Sequence, residues 1–343
     1  MFIRKNYTVR ETMMISGKHF FWLVPYVLLV AVLYRYSFLN NFSIPWLPLS
    51  VIGTGVAFYV GFKNNQAYDR LWEARMIWGG IVNSSRMWGS NIKAFVVKAE
   101  TGDTAEPLMH IKKQMIYRHI AWLYVLRKQL LEPAAWEHLS LKGIYGRDAK
   151  QKMMSRGIGL LGEDITEKQV KKYLPDSEQK GLPIFNNAAA QIIDRQSQEL
   201  ARLRKKGCFG SYEHVALQGI LNDLYDHQGK AERIKKTPFP RQFASFGFIM
   251  VCLFIFMLPF GFFSEFAKMG NYGIWLAVPF VIIISWIFIV MELVGDYSEN
   301  PFEGLANDVP MLSICRNIEI DLLQQLEETD LPEPIRPIQN VLL

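Results

Sequence analysis

The chain has 343 residues, half of them hydrophobic, and a formal net charge of +6. A soluble chain of this length would often form two domains. Here the apolar residues are gathered into a few long runs, so an integral membrane protein is the first reading. Cys208, Cys252 and Cys315 are far apart and odd in number, which argues against a disulfide framework and fits soluble parts facing a reducing compartment. The six histidines are scattered without metal-ligand spacing. No Walker A, GxSxG or helix-opening GxGxxG occurs. Nothing therefore points to catalysis, a metal, a cofactor or nucleic acid, and the chain is not read as an enzyme.

Residues 20–36 form the first apolar run, behind a positive flank of Arg4, Lys5, Arg10 and Lys18. A signal peptide would need small residues near its end. Tyr34, Arg35 and Tyr36 stand there instead, so a retained helix is expected. Residues 44–62 form a second run, and about 19 residues at about 1.5 Å each cover a hydrocarbon core of about 30 Å. Residues 243–263 and 272–294 form the third and fourth, separated by a short turn over 264–271. Pro259 and Pro279 are tolerable inside membrane helices, and Tyr272 and Trp275 suit an interface belt. Glu292 is the only acidic residue inside a span.

Between the second and third runs, residues 63–242 are rich in charge and contain no window able to span. Ile116, Ile120, Leu123 and Leu130 recur at helical spacing within 108–131, and 188–206 and 212–236 read likewise. Thr166 with Gln169 three residues on resembles a helix start, and Gly and Pro over 155–162 and 181–183 suggest loops. The region reads as all-helical, with no repeat. It carries 30 Lys/Arg, against none in the 37–43 connection and one in 264–271. By the positive-inside rule the middle region and both termini lie in the cytoplasm, giving a multi-pass protein of the cell membrane. The segments are 1–19, 20–62, 63–242, 243–294 and 295–343. The last holds ten Asp/Glu and two Lys/Arg; an acidic tail beside a basic region suggests that the one docks on the other. Its end, from Leu331 to Gln339, is proline-rich and expected to be extended.

In the second span, Thr54, Phe58 and Phe62 fall at i, i+4 and i+8 and stack on one helix face. Gly53, Gly55 and Gly61 lie on other faces and permit close helix approach. The stripe reads as ordinary packing or, with several copies around an axis, as a narrow apolar neck that gates by dewetting. A polar stretch follows and is expected to continue the helix. There Glu73 is placed to pair with Arg70 or Arg86, and Trp72, Trp78 and Trp88 add large apolar contacts.

Three motifs then appear in order around the four spans: GFxNNxAYDRxWEARxxWG over 61–79, Arg233 to Pro240, and Asn300-Pro301-Phe302-Glu303-Gly304 running on to Met311. Together they resemble the signatures of prokaryotic bestrophin homologues, and the resemblance covers essentially the whole chain. It implies an all-α membrane protein, four transmembrane helices plus a large helical cytosolic region, assembled as a homopentamer around one axial pore in the lipid bilayer. It places the pore neck on Thr54, Phe58 and Phe62, where Thr54 departs from the bulky apolar residue usual there. It places a second, cytosolic constriction at Tyr212, with Val215 beside it. Asn64, Asn65, Asp69, Arg70, Trp72, Glu73, Arg75, Asn300, Pro301 and Phe302 fall on the structural junction. The implied function is a passive channel with a hydrophobic gate, best known in the family for chloride. A sodium-conducting channel of the same build is the alternative, and a secondary transporter a more distant one. Animal members hold calcium on an acidic run after Asn-Pro-Phe. Here only Glu303 and Asp308 are acidic in that run and Leu305 has no side-chain oxygen, so no calcium activation is expected.

Overall fold

A computed structural model describes residues 1–36, 44–97, 108–156, 165–270 and 272–343. The described residues contain twelve α-helices and no strand beyond two isolated bridges. In chain order they are α1 (Val9–Ser16), α2 (Phe20–Tyr36), α3 (Trp46–Phe95), α4 (Leu108–Leu131), α5 (Ile144–Arg156), α6 (Ile165–Tyr173), α7 (Asp176–Gly181), α8 (Ala188–Lys205), α9 (Ser211–Lys236), α10 (Arg241–Ala267), α11 (Gly273–Asp296) and α12 (Met311–Gln325). They fall into two compact units: one of residues 4–70 and 238–299, the other of 1–3, 71–237 and 300–343.

The first unit holds the apolar helices. Four helical stretches are long and apolar enough to cross a membrane, in or around α2, α3, α10 and α11. α10 packs on α11, and both pack on α2. Their shared core includes Leu23, Val27, Val56, Val60, Phe254, Leu258, Phe263 and Val281. Glycine sets the closest approach. A Cβ on Gly53 would come within 2.7 Å of the Phe254 ring, so the α10 ring lies against bare α3 backbone. α1, which the apolar pattern did not reveal, begins with a capping box in which Thr8 and Glu11 bond each other's backbone N–H groups. It packs against α11.

The second unit is built around α4. That helix touches α6, α8, α9 and α12, so it is buried on nearly every side. Its apolar positions join Trp78, Trp88, Leu200, Leu221 and Leu322 in one core. Several polar groups carried inside are paired, as a dry interior favours. Arg118 donates to both oxygens of Glu178 at 3.0 and 2.7 Å. Trp122 Nε1 donates to Gln228 at 3.0 Å. His119 stacks on Trp122 and lies 2.9 Å from the Ser85 hydroxyl; complete burial pushes its pKa down to about 3, so it is neutral. Glu319 of α12 accepts from the Tyr124 and Tyr173 hydroxyls at 2.5 and 2.6 Å.

The acidic C-terminal segment docks on the basic region of this unit. Asp321 meets Arg86 at 2.8 Å, Glu327 meets Lys93 at 2.9 Å and Glu328 meets Lys113 at 2.6 Å. Beyond α12 the chain is free of helix, as its prolines require.

Several local expectations are adjusted. Glu73 pairs with Arg233 of α9 at 2.5 Å rather than with Arg70 or Arg86, because the cross-helix partner lies closer than the neighbours in sequence. Thr166 does stand at a helix start, since α6 begins at Ile165, but its hydroxyl accepts from Arg127 at 3.2 Å. Residues 181–183 are not a loop: Gly181 ends α7, and Leu182–Ile184 continue as a 3-10 turn with the proline in its first positions, where a missing N–H is harmless. α5 runs to Arg156 and α10 to Ala267, which shortens the loop expected from 155 and the turn expected from 264. The 37–43 connection and residues 157–162 lie outside the described residues.

Candidate ion-conducting neck

α3 is one unbroken helix of 50 residues, so the polar stretch does continue the second span. Within the membrane unit its two faces differ. Leu49, Gly53, Val56, Val60, Lys63 and Ala67 are buried against its neighbours. Leu47, Val51, Thr54, Phe58 and Phe62 are exposed on the other face. Spacings of three and four residues keep that set in one stripe.

Phe58 is 69% and Phe62 50% exposed. Their rings meet edge to face with centroids 4.5 Å apart, a favoured aromatic geometry. Neither inserts into the core of its own unit, so the stripe is not the packing surface of a single chain. The Thr54 hydroxyl donates to the Ser50 carbonyl at 2.9 Å. Its proton is thus spent on its own helix, and the Thr54 end of the stripe is less polar than the residue type implies. Of the glycines expected to allow close approach, Gly53 does so, whereas a Cβ on Gly55 or Gly61 would meet nothing within 4 Å.

Below Phe62 the exposed face turns polar at Asn65 and Asp69. The buried face acquires charge at Lys63, whose ammonium donates to Glu292 of α11. Asn64 Nδ2 donates to the Met291 carbonyl at 2.9 Å. The sequence marked Glu292 as the lone acid in a span and Lys63 as the start of the polar stretch, but nothing in it joined the two.

The other singled-out residues divide by role. Tyr212 and Val215 sit in the first turns of α9, 91% and 69% exposed, with the buried face of that helix formed by Leu217, Ile220, Leu221 and Leu224. Trp72 is exposed, and Arg70 and Arg75 are partly buried. Asn300, Pro301 and Phe302 are buried. Pro301 O accepts from Val309 N at 3.2 Å, closing the loop on itself. Glu303 is fully buried and bonded to His138 Nδ1 at 2.9 Å. Asp308 accepts from Leu305 N at 2.9 Å. Among the described residues no group of three or more His, Cys, Asp or Glu is placed to hold a metal.

With this geometry in hand, the comparisons decide the kinship. The family described as Bacterial/Fungal Bestrophin protein matches residues 15–324. The chain belongs to the bestrophin family. A bacterial bestrophin homologue from Klebsiella pneumoniae superimposes with a TM-score of 0.73, covering 91% of this chain and 98% of the other, at 19% identity. That likeness establishes a shared bestrophin fold. Among curated relatives, the voltage-dependent anion channel-forming protein YneE of Escherichia coli K12 is 27% identical over 315 residues, covering 89% of this chain and 88% of that protein. A voltage-dependent anion channel-forming protein of Nostoc is 26% identical over 266 residues, covering 75% and 70%. These bestrophin relatives are named as channels and not as enzymes.

Proposed function

We propose that this bestrophin forms a passive channel in the cell membrane, a homopentamer whose axial pore is narrowed by Thr54, Phe58 and Phe62 from each α3. The observation that carries the reading is the exposed apolar stripe itself. A spanning helix that leaves two phenylalanines outside its own unit's core, in a family whose relatives are named channel-forming, has a use for them around a shared axis. A ring of such side chains gates by dewetting. Tyr212 and Val215, exposed at the start of α9, suit a second constriction on the cytosolic side. Both termini lie in the cytoplasm on this reading, following the Lys/Arg bias.

The conducted ion is an anion, in keeping with the names of the relatives, and chloride is the first anion to test. Opening does not depend on calcium: both acids of the run after Asn300 are already engaged within the fold, Glu303 by His138 and Asp308 by the Leu305 amide. A sodium-conducting channel is the second reading, and one observation favours it. Asp69 is exposed two helical turns below Phe62 and points within about 20° of it; repeated around an axis it would draw cations.

The test is reconstitution of the purified protein in planar bilayers. The reversal potential in asymmetric KCl and NaCl separates anion from cation, and micromolar calcium should leave the current unchanged. Phe58→Ala and Phe62→Ala should raise single-channel current by at least about twofold by widening a hydrophobic constriction. Unchanged current in both would remove the neck assignment.

A further inference from the structure

We infer that the buried Lys63–Glu292 ion pair is the positioning element that sets the rotation of α3, and so aims Phe58 and Phe62 at the pore. This rests on the neck reading above. Lys63 is the residue directly after Phe62, and it is the only charge on the buried face of α3 between Leu49 and Ala67. It is 1% exposed and Glu292 8%. One Glu292 oxygen takes the Lys63 ammonium, and the other has no hydrogen-bond partner. The carboxylate is therefore held by Lys63 alone, and any rotation of α3 that withdraws the ammonium leaves a buried charge unpaired, a costly state.

Away from Gly53, which packs on the Phe254 ring nearly three turns earlier, the apolar contacts of α3 are non-directional and tolerate small rotations. A directional bond does not. The surroundings tighten it further. The Asn64 amide fixes the next residue to the Met291 carbonyl at 2.9 Å. Gly295 leaves room for the Asn64 side chain, which a Cβ there would strike. A Cβ on Gly247 would stand 3.5 Å from Glu292 Oε2, from the Lys63 stem and from Tyr59. Of these two glycines, Gly295 is the one whose missing side chain makes the room, since a Cβ on Gly247 would be in ordinary contact with the pair. Successive residues of a helix are set about 100° apart, so a one-residue slip at Lys63 would turn Phe62 well away from its present direction.

A merely structural pair and a positioning pair differ in coupling. Phe62→Ala is measured in the native background and in Lys63→Met, with Glu292→Gln as a milder second background that keeps the side-chain shape. If the pair aims the ring, Phe62→Ala raises single-channel current by at least about twofold in the native background and changes it by less than about 1.2-fold in either pair variant, a non-additivity expected of coupled sites. The same increase in all three backgrounds overturns the inference, as does failure of both pair variants to assemble, since the pair then serves folding alone. No increase in the native background defeats the neck reading instead, so the two failures are distinguishable.

Discussion

The two units of this bestrophin bury the same kinds of side chain and differ in what they turn outward. The core of residues 71–237 and 300–343 is apolar, and its outer faces carry Arg86, Lys93, Lys113 and their acidic partners. The core of residues 4–70 and 238–299 is also apolar, yet Phe21, Leu29, Phe248, Leu253, Phe256 and Ile283 face outward from it. One surface is made for water and the other for lipid. The interiors follow suit. The water-facing unit draws on hydrophobic burial and holds a dense set of buried polar links, as at Arg118, Trp122 and Glu319. In lipid that driving force between helices is absent, so close packing at small residues takes its place, as at Gly53 against Phe254. Lys63–Glu292 stands in that interior as a buried ion pair.

The largest expected effect tests the buried polar links. Glu319→Ala strands the Tyr124 and Tyr173 hydroxyls, together with Arg316, whose Nε lies 3.2 Å from the carboxylate. Removing one partner from a buried charged cluster costs about 3–5 kcal/mol. Thermal unfolding in detergent should show it, with Glu319→Gln milder; an unchanged midpoint for the alanine variant would mean that the cluster contributes little. Next comes the lipid-facing surface. Leu253→Arg places a charge near the middle of α10, where insertion scales assign about 2.5–3.5 kcal/mol. The fraction of protein recovered in membranes should fall, and wild-type recovery would place that face away from lipid.

The last effect concerns pH and grows only as pH rises. Burial, and then the Glu303 carboxylate, raise the Asp308 pKa from 3.8 to about 7. The folded state therefore binds more protons than the unfolded state between those values. The contribution is fully present below about pH 4 and is lost as pH rises through about 7. Asp308→Asn keeps an oxygen for the Leu305 amide and removes the titration. It should match the parent at low pH and be the more stable of the two above pH 7, read from unfolding midpoints across a pH series. Parallel curves would contradict the shift.

Much of this was legible in the sequence for a physical reason. Spans declare themselves by length and hydropathy, and α4, α8 and α9 by apolar spacing, since these are local properties. The Asn300–Met311 motif was visible as a motif, but its role as a buried knot was not, because the contact between Glu303 and His138 joins residues 165 apart. The same limit hid Glu73–Arg233 and Lys63–Glu292. Glu73 had basic neighbours at plausible spacing, and the partner it takes lies 160 residues on. At Thr54, residue type implied a polar break in the stripe, and only the carbonyl one turn back alters that. α1 was legible in principle, from Thr8 and Glu11 at capping-box spacing, but the longer apolar run after it masked the sign.

The two-faced α3 carries a consequence for how this family can vary. Point substitutions on the stripe change one ring and leave the rest in place. A single codon inserted or deleted between Thr54 and Lys63 would do more. It would carry every later residue about 100° around the helix, sending aromatic rings into the bundle and the lysine toward the open side. This segment should therefore be free to change its letters among descendants and held to one length.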